Sequence, residues 1–296
     1  MDFTHAFAYD LERGQVTLRK SYRNTDGVQI DIMMRKIENI VREAGQIIRS
    51  AQLEQSDIHQ KDGPANFVTD YDVRVQAFLI EKLSEIVPDA SFYGEEETEG
   101  NKHRVGTGYT FFIDPIDGTT NFMFDYQFSC VSVGLAENGS LIAGWVYNPY
   151  ADRMYHAVKG QGAFLNDKRL KIEDGSIADG IVAFGCARYN DREVDLLFDI
   201  VQELFLRSLS VRNGGSAALD LSRVASGSHV GFFEFLLQPY DYAAATAVIE
   251  EAGGMVCQPD SAPIVLDRPC SIVAGTKKAV EEILEIYAEK SGSRSH

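Results

Sequence analysis

No two cysteines are spaced C-x-x-C, and the four present, Cys130, Cys186, Cys257 and Cys270, are far apart. That excludes a zinc ribbon or a thioredoxin-type motif. Widely separated thiols in a chain of 296 residues fit buried cysteines in a reducing cytoplasm. The six histidines show no H-x-x-x-H or related spacing, so no histidine zinc site is indicated. No apolar run approaches the roughly 20 residues that a membrane-spanning helix needs, and the N-terminus lacks a basic region followed by an apolar stretch. Positive charge is scarce: 28 Lys and Arg against 44 Asp and Glu leave a net charge of −16. Such an acidic chain is a poor general partner for nucleic acid or anionic membrane. It also predicts that a phosphorylated substrate must meet local positive charge, from metal ions, a helix N-terminus or a placed lysine.

What is present is globular: 45% hydrophobic and 24% charged residues, enough for a sizeable core. Residues 1–27 show no clean period and read as an extension or leader, and residues 291–296 read as a linker with the first residue of a histidine tag. Helical spacing of apolar residues predicts a helix over 30–52. Polar residues 54–66, broken at Gly63-Pro64, precede a second helix over 69–87, with Thr69 or Asp70 as N-cap and Pro88 as its stop. Strands are predicted at 109–113, 128–136 and 141–147, the last two joined by the hairpin signal Glu137-Asn138-Gly139-Ser140. Further strands at 153–158 and 162–165 extend the antiparallel pattern. After residue 171, strand and helix alternate: strands at 181–184, 209–211, 230–237 and 271–274, helices at 193–206, 216–225, 242–251 and 277–288. An α+β segment over 28–172 followed by an α/β segment over 173–290 is the expected organisation.

Four segments carry candidate chemistry. Gly94-Glu95-Glu96-Glu97 follows a short apolar run; alone, an acidic run is usually a solvated face. Asp114-Pro115-Ile116-Asp117-Gly118-Thr119-Thr120-Asn121-Phe122 follows the apolar strand Phe111-Phe112-Ile113. Pro115 is expected to end the ladder, Gly118 to permit a tight turn, and Thr119-Thr120-Asn121 to start a short helix. Two carboxylates, a free Ile116 carbonyl and the N–H groups of Gly118 and Thr119 would then share one turn. Oxygen ligands of this kind select hard cations such as Mg²⁺, and the N–H groups suit a phosphate. The same residues are also ordinary turn formers. Asp241, after Pro239-Tyr240, reads equally well as an N-cap of an alanine-rich helix. Lys61, alone, is an unremarkable lysine ahead of Asn66-Phe67-Val68-Thr69-Asp70-Tyr71-Asp72.

Taken together, in this order and over residues 30–288, these segments resemble the inositol monophosphatase family, marked by G-E-E, D-P-[IL]-D-G-T-x-N-[FY] and W-D-x-A-A-G before a helix ending in E-A-G-G. The second motif is complete here. The third stands as Tyr240-Asp241-Tyr242-Ala243-Ala244-Ala245, with Glu250-Glu251-Ala252-Gly253-Gly254 after it. The resemblance implies a layered α-β-α-β-α sandwich of the inositol monophosphatase and fructose-1,6-bisphosphatase type. It implies a lithium-sensitive phosphomonoesterase holding two or three Mg²⁺ ions: Glu95, Asp114 and the Ile116 carbonyl at the first, Asp114, Asp117 and Asp241 at the second, Glu95 at a third. By the same resemblance Thr119 and Glu95 position the attacking water, with Lys61 and Glu96 in the supporting roles of the active-site loop.

For substrate, the resemblance points to Glu234, seven residues before Asp241, and to Gly215-Ser216-Ala217-Ala218 beside a polyol ring. Inositol-1-phosphate is the expected substrate; fructose-1,6-bisphosphate, histidinol phosphate and a regulatory binding role on the same fold are the alternatives. Glu234 reads equally as a strand-end surface carboxylate. Three departures stand out: Tyr240 in place of Trp, Ala245-Thr246 where a small Gly is usual, and Asn66 where some relatives have Asp, which is expected to weaken the third metal. Family members are commonly homodimers.

Overall fold

The computed structural model describes residues 8–10, 15–17, 26–61, 67–96, 105, 107–186 and 193–293. Gly63, Pro64, Asn66, Glu97 and residues 294–296 lie outside the described residues, so the expectations placed on them do too.

The chain opens with strands β1 (Ala8–Asp10) and β2 (Gln15–Thr17), then helix α1 (Asp26–Arg49), strands β3 (Ile58–Gln60) and β4 (Phe67–Thr69), and helix α2 (Asp70–Ile86). Next come β5 (Ser91–Gly94), β6 (Tyr109–Asp117), the short helix α3 (Thr119–Met123), β7 (Cys130–Glu137), β8 (Ser140–Asn148), β9 (Arg153–Val158), β10 (Gly162–Leu165) and β11 (Lys168–Arg169). The remainder is β12 (Ile181–Phe184), α4 (Val194–Arg207), β13 (Ser210–Arg212), α5 (Ala217–Ala225), β14 (Gly231–Leu237), α6 (Pro239–Glu251), β15 (Met255–Cys257), β16 (Cys270–Gly275) and α7 (Lys277–Ser293).

Strands β5 to β11 form one sheet in chain order, antiparallel except for the β5–β6 pair. The second sheet runs β13-β12-β14-β16-β15 and is mixed. Each sheet buries both faces, and paired aromatics show how the pleat divides them. Phe111 packs towards α1 and α2 while its neighbour Phe112 packs towards α5 and α6. Phe232 and Phe233 split likewise, to α5 and α6 on one side and to α4 and α7 on the other. The five layers are therefore α1/α2, the first sheet, α5/α6, the second sheet and α4/α7, the α-β-α-β-α sandwich implied by the resemblance.

The local signals explain most element ends. Thr69 caps α2 in a capping box with Asp72. In the β7–β8 hairpin Asn138 and Gly139 both have positive φ, 50° and 78°, as a two-residue turn requires. Several expectations are corrected. The opening residues 8–10 and 15–17, which show no period, pair as a ladder, and α1 begins at Asp26. The polar stretch holds β3, paired with β4. Pro115 does not end its strand, because β6 runs on to Asp117 through a bulge. Helix α7 continues to Ser293, so residues 291–293 are helical. Cys186 is exposed, unlike the other three thiols.

Two glycines let α6 sit against the first sheet. A Cβ on Gly134 would stand 2.9 Å from the Ala243 Cβ, and one on Gly144 would stand 2.2 Å from the Ala244 carbonyl oxygen. At Gly144 the obstacle is helix backbone, which cannot rotate away. Gly144→Ala is therefore expected to destabilise the fold by about 1–3 kcal/mol, lowering the thermal midpoint by several degrees; an unchanged midpoint would show that the layers are not in close contact there.

Candidate active site

The ends of β5, β6, β12, β13 and β14 and the starts of α3, α5 and α6 converge on a cleft of about 710 Å³ between the two sheets. Asp114 and Asp117 are three residues apart, a spacing that in a regular strand points side chains to opposite faces. The register changes that. Asp114 pairs with Ser132 and Asp117 with Cys130, so β6 carries one extra residue at this point. The bulge absorbs Pro115, which has no N–H to donate, and turns both carboxylates into the cleft. An equivalent bulge in β14 lies between Glu234, paired with Ile272, and Leu237, paired with Cys270. Leu236 within it has a φ of 53°, a conformation costly for a leucine, and Glu234 faces the cleft.

Asp241 is on the first turn of α6, where its carboxylate accepts the Gln238 N–H at 2.7 Å. The N-cap is Gln238, so Asp241 is not the cap expected from sequence but the third helical residue of a capping box, and its carboxylate also lines the cleft. Gly118 takes a φ of 91° ahead of α3, and Thr119 turns its hydroxyl towards the Ile116 carbonyl at 3.2 Å and the Asp72 carboxylate at 3.3 Å. Asp114 accepts the Ile116 N–H at 3.1 Å, which folds the loop back on itself.

On the β5 side, Lys61 donates to Glu95 at 3.1 Å and to Glu96 at 2.6 Å. On the second-sheet side, Asp117 accepts from the Ser216 hydroxyl at 2.5 Å and from the N–H groups of Ala217 and Ala218 at 3.2 and 2.8 Å. Asn121 donates to the carbonyls of Phe128 and Gly214, at 2.7 and 2.8 Å, and so holds the Gly214-Gly215 turn against the first half of the site. Lys61, Glu95, Asp114, Ile116, Asp117, Gly118, Thr119, Gly215, Ser216, Ala217, Glu234 and Asp241 all line the cleft; Glu96 stands behind it on Lys61.

Sequence reasoning missed Asp72 and Asp220. Asp72 is buried on α2, bonds Thr119, and with Glu95 and Glu96 offers carboxylate oxygens that lie within 4.8 Å of one another. Its sequence signal, three residues after Thr69, is that of a capping box, which it also makes at 2.7 Å to the Thr69 N–H. Asp220 lines the far end of the cleft, buried, and accepts the Gly214 N–H at 2.8 Å. It reads as an ordinary polar residue of α5.

Crowding of like charge dominates the electrostatics. Burial, then Glu95, Asp117 and Asp241, push the Asp114 carboxyl well above the usual range. Burial followed by Asp117 and Glu95 does the same to Asp241. Burial also raises Asp117, against the hydrogen bonds from Ser216, Ala218 and Ala217. Asp72 is pushed up to about 7 by burial and by Glu95. Among the described lining residues the only cationic side chain is Lys61. Among the described lining residues the clustered donors are carboxylates and a carbonyl, with no imidazole, and they fit a hard divalent cation such as Mg²⁺.

A model of the Inositol monophosphatase family matches residues 32–291. The chain belongs to the inositol monophosphatase family. An inositol-1-monophosphatase of Bacillus subtilis is 32% identical over 89% of this chain and 98% of its own length. A protein of Aquifex aeolicus named fructose-1,6-bisphosphatase/inositol-1-monophosphatase is 33% identical over 82% of this chain and 90% of its own. Among solved structures, the extragenic suppressor protein suhB of Bartonella henselae superposes with a TM-score of 0.77 at 29% identity, covering 86% of this chain and 98% of that one. Within this family frame, Tyr240 lines the cleft with its ring centroid 6.2 Å from that of Tyr93. Ala245, where the motif has Gly, and Thr246 after it are both buried, and the Thr246 hydroxyl has no hydrogen-bond partner among the described residues.

Burial raises Asp220 to about 7, so in the absence of metal it takes up a proton on folding between its ordinary value near 3.8 and 7. The folded state then binds more protons than the unfolded one, and the stability linked to Asp220 is lost as pH rises through 7. Buried His229, lowered to about 4, acts in the opposite sense, its contribution lost as pH falls through 4. Comparing the metal-free protein with Asp220→Asn isolates the carboxyl. By denaturant titration the variant is expected to gain stability relative to the parent between pH 5 and 8; a difference independent of pH would contradict the assignment.

Proposed function

We propose that the chain is a Mg²⁺-dependent phosphomonoesterase whose substrate is a small polyol monophosphate, with inositol-1-phosphate the expected one. The observation that carries this reading is the convergence of Glu95, Asp114, Asp117 and Asp241 on one cleft, with Thr119 beside them. Glu95, Asp114 and the Ile116 carbonyl would hold one ion, Asp114, Asp117 and Asp241 another, and Glu95 would share a third. When bound, the ions supply positive charge that offsets the phosphate and the developing leaving group, and they acidify water.

The remaining roles belong to the chain. Thr119, donating its single hydroxyl proton to Asp72 or Ile116, keeps a lone pair free to accept from an attacking water. Lys61 pairs with Glu95 and Glu96 and is placed at the cleft, where it would face the phosphate. The N–H groups of Gly118 and Thr119 suit phosphate oxygens. Phosphoryl transfer asks for positioning and charge stabilisation, and these groups provide both.

The far end of the cleft favours a hydroxylated leaving group. It is lined by Gly185, Cys186, Asn213, Asp220 and Glu234, which accept hydrogen bonds or are neutral. Burial, then Asp241, holds the Glu234 carboxyl well above its ordinary value, and a polyol hydroxyl can pair with it in either protonation state. A second phosphate would meet carboxylates there, so the monophosphate reading is preferred to a bisphosphate one.

Release of inorganic phosphate from inositol-1-phosphate, with Mg²⁺ and with chelator, tests the reading. Turnover is expected only with the metal, and Asp114→Asn, Asp241→Asn and Thr119→Ala are each expected to lower kcat at least about a hundredfold. Full turnover by both Asp→Asn variants would reject it. Glu234→Ala is expected to raise KM for inositol-1-phosphate by about tenfold while leaving p-nitrophenyl phosphate hydrolysis nearly unchanged. An equal effect on both substrates would remove Glu234 from the polyol contacts.

A further inference from the structure

We infer that Gln76 is a positioning residue for the metal-binding carboxylates, acting through the main chain of Glu96. This rests on the reading of Glu95 as a metal ligand. Strand β5 ends at Gly94, and the last bond of its ladder is from the Glu95 N–H to the Ile113 carbonyl at 3.0 Å. In an extended strand Glu95 and Glu96 would point to opposite faces. Here both carboxylates reach the same Lys61 ammonium, so the chain must bend where the sheet stops supporting it. The bend would leave the Glu96 N–H and carbonyl buried without partners, a costly arrangement.

Gln76 supplies both partners. Its side chain is fully buried on α2, its Oε1 accepts the Glu96 N–H at 3.0 Å, and its Nε2 donates to the Glu96 carbonyl at 2.6 Å. A primary amide of this length offers a donor and an acceptor together in a single protonation state, and only one orientation of that amide satisfies both bonds. It stands in for a missing strand, and it does so without charge. That matters beside Asp72, Glu95 and Glu96, where a further carboxylate would add to the repulsion. The amide thereby fixes the direction of the two glutamates that Lys61 balances.

The test is Mn²⁺ binding without substrate, read from the loss of the free-ion EPR signal, for the parent, Gln76→Leu, Gln76→Met and Leu79→Ala. Leu79 lies on the same helix and is equally buried, but packs in the α1/α2 layer, so Leu79→Ala reports general loosening of the helix. Both Gln76 variants are expected to weaken Mn²⁺ binding by at least about tenfold, at a thermal midpoint no lower than that of Leu79→Ala, whose affinity stays within twofold of the parent. If Gln76→Leu does not fold, Gln76→Met, which keeps the length of the side chain but supplies no N–H donor and only a weak acceptor, decides. Parental affinity in the folded Gln76 variants, or an equal loss in Leu79→Ala, overturns the inference. Failure of the parent itself to bind Mn²⁺ would instead overturn the metal-site reading on which it rests.

Discussion

Asp114, Asp117 and Asp241 meet at the seam between two sheets, two of them nearly out of water, and their mutual repulsion is the constraint from which the arrangement around them follows. Burial of like charges is unfavourable unless protons or cations intervene. Each carboxyl is accordingly held by a separate device. The β6 bulge aims Asp114 and Asp117, the first turn of α6 holds Asp241, and the start of α5 holds Asp117 from the far side. Folding alone does not make these positions comfortable; protons or a bound metal ion would, and a metal ion would also offer a phosphate the positive charge that a chain of net charge −16 lacks.

The sandwich serves this by placing α5 and α6 between the sheets. Both helices begin at the seam, so each presents its first turn to the carboxylates arriving from β6. That geometry depends on close approach. Ala243 and Ala244 of α6 lie against Gly134 and Gly144, and larger residues at those sites would lift the helix, and Asp241 with it, away from Asp114. Core packing and site geometry are thus one requirement seen at two distances.

How legible was this in the sequence? Element positions were, because hydrophobic period, caps and the Asn138-Gly139 turn are local signals. The D-P-I-D-G-T segment by itself read equally as a turn, and only its order with the other segments, through the family resemblance, marked it as a candidate site. Asp72, Gln76 and Asp220 were not legible. Each sits on a helix in a position that propensity explains: Asp72 as a capping-box acid, Gln76 as a good helix former, Asp220 as a polar residue in the first turn of α5. Their roles arise from contacts 20 to 47 residues away for Gln76 and Asp72, and for Asp220 from the turn it braces against the other half of the site. Pro115 misled for a related reason. A proline stops a ladder only where the register is regular, and the partner register that makes the bulge is a tertiary fact.

Asp117 shows why the two ends of the cleft cannot be tuned independently. A carboxylate has about four lone-pair sites, and in this protein the Ser216 hydroxyl, two N–H groups of α5 and, at 3.7 Å, the Cys130 thiol all point at them. A cation held by Asp117 must share those oxygens, drawing on electron density that the start of α5 also uses. Gly215, Ser216 and Ala217 line the cleft at that helix start, beside the same side chain that joins Asp114 and Asp241 in the carboxylate cluster. The sequence order reflects this: the metal motif and the Gly215–Ala217 turn lie about a hundred residues apart, yet one carboxylate registers both.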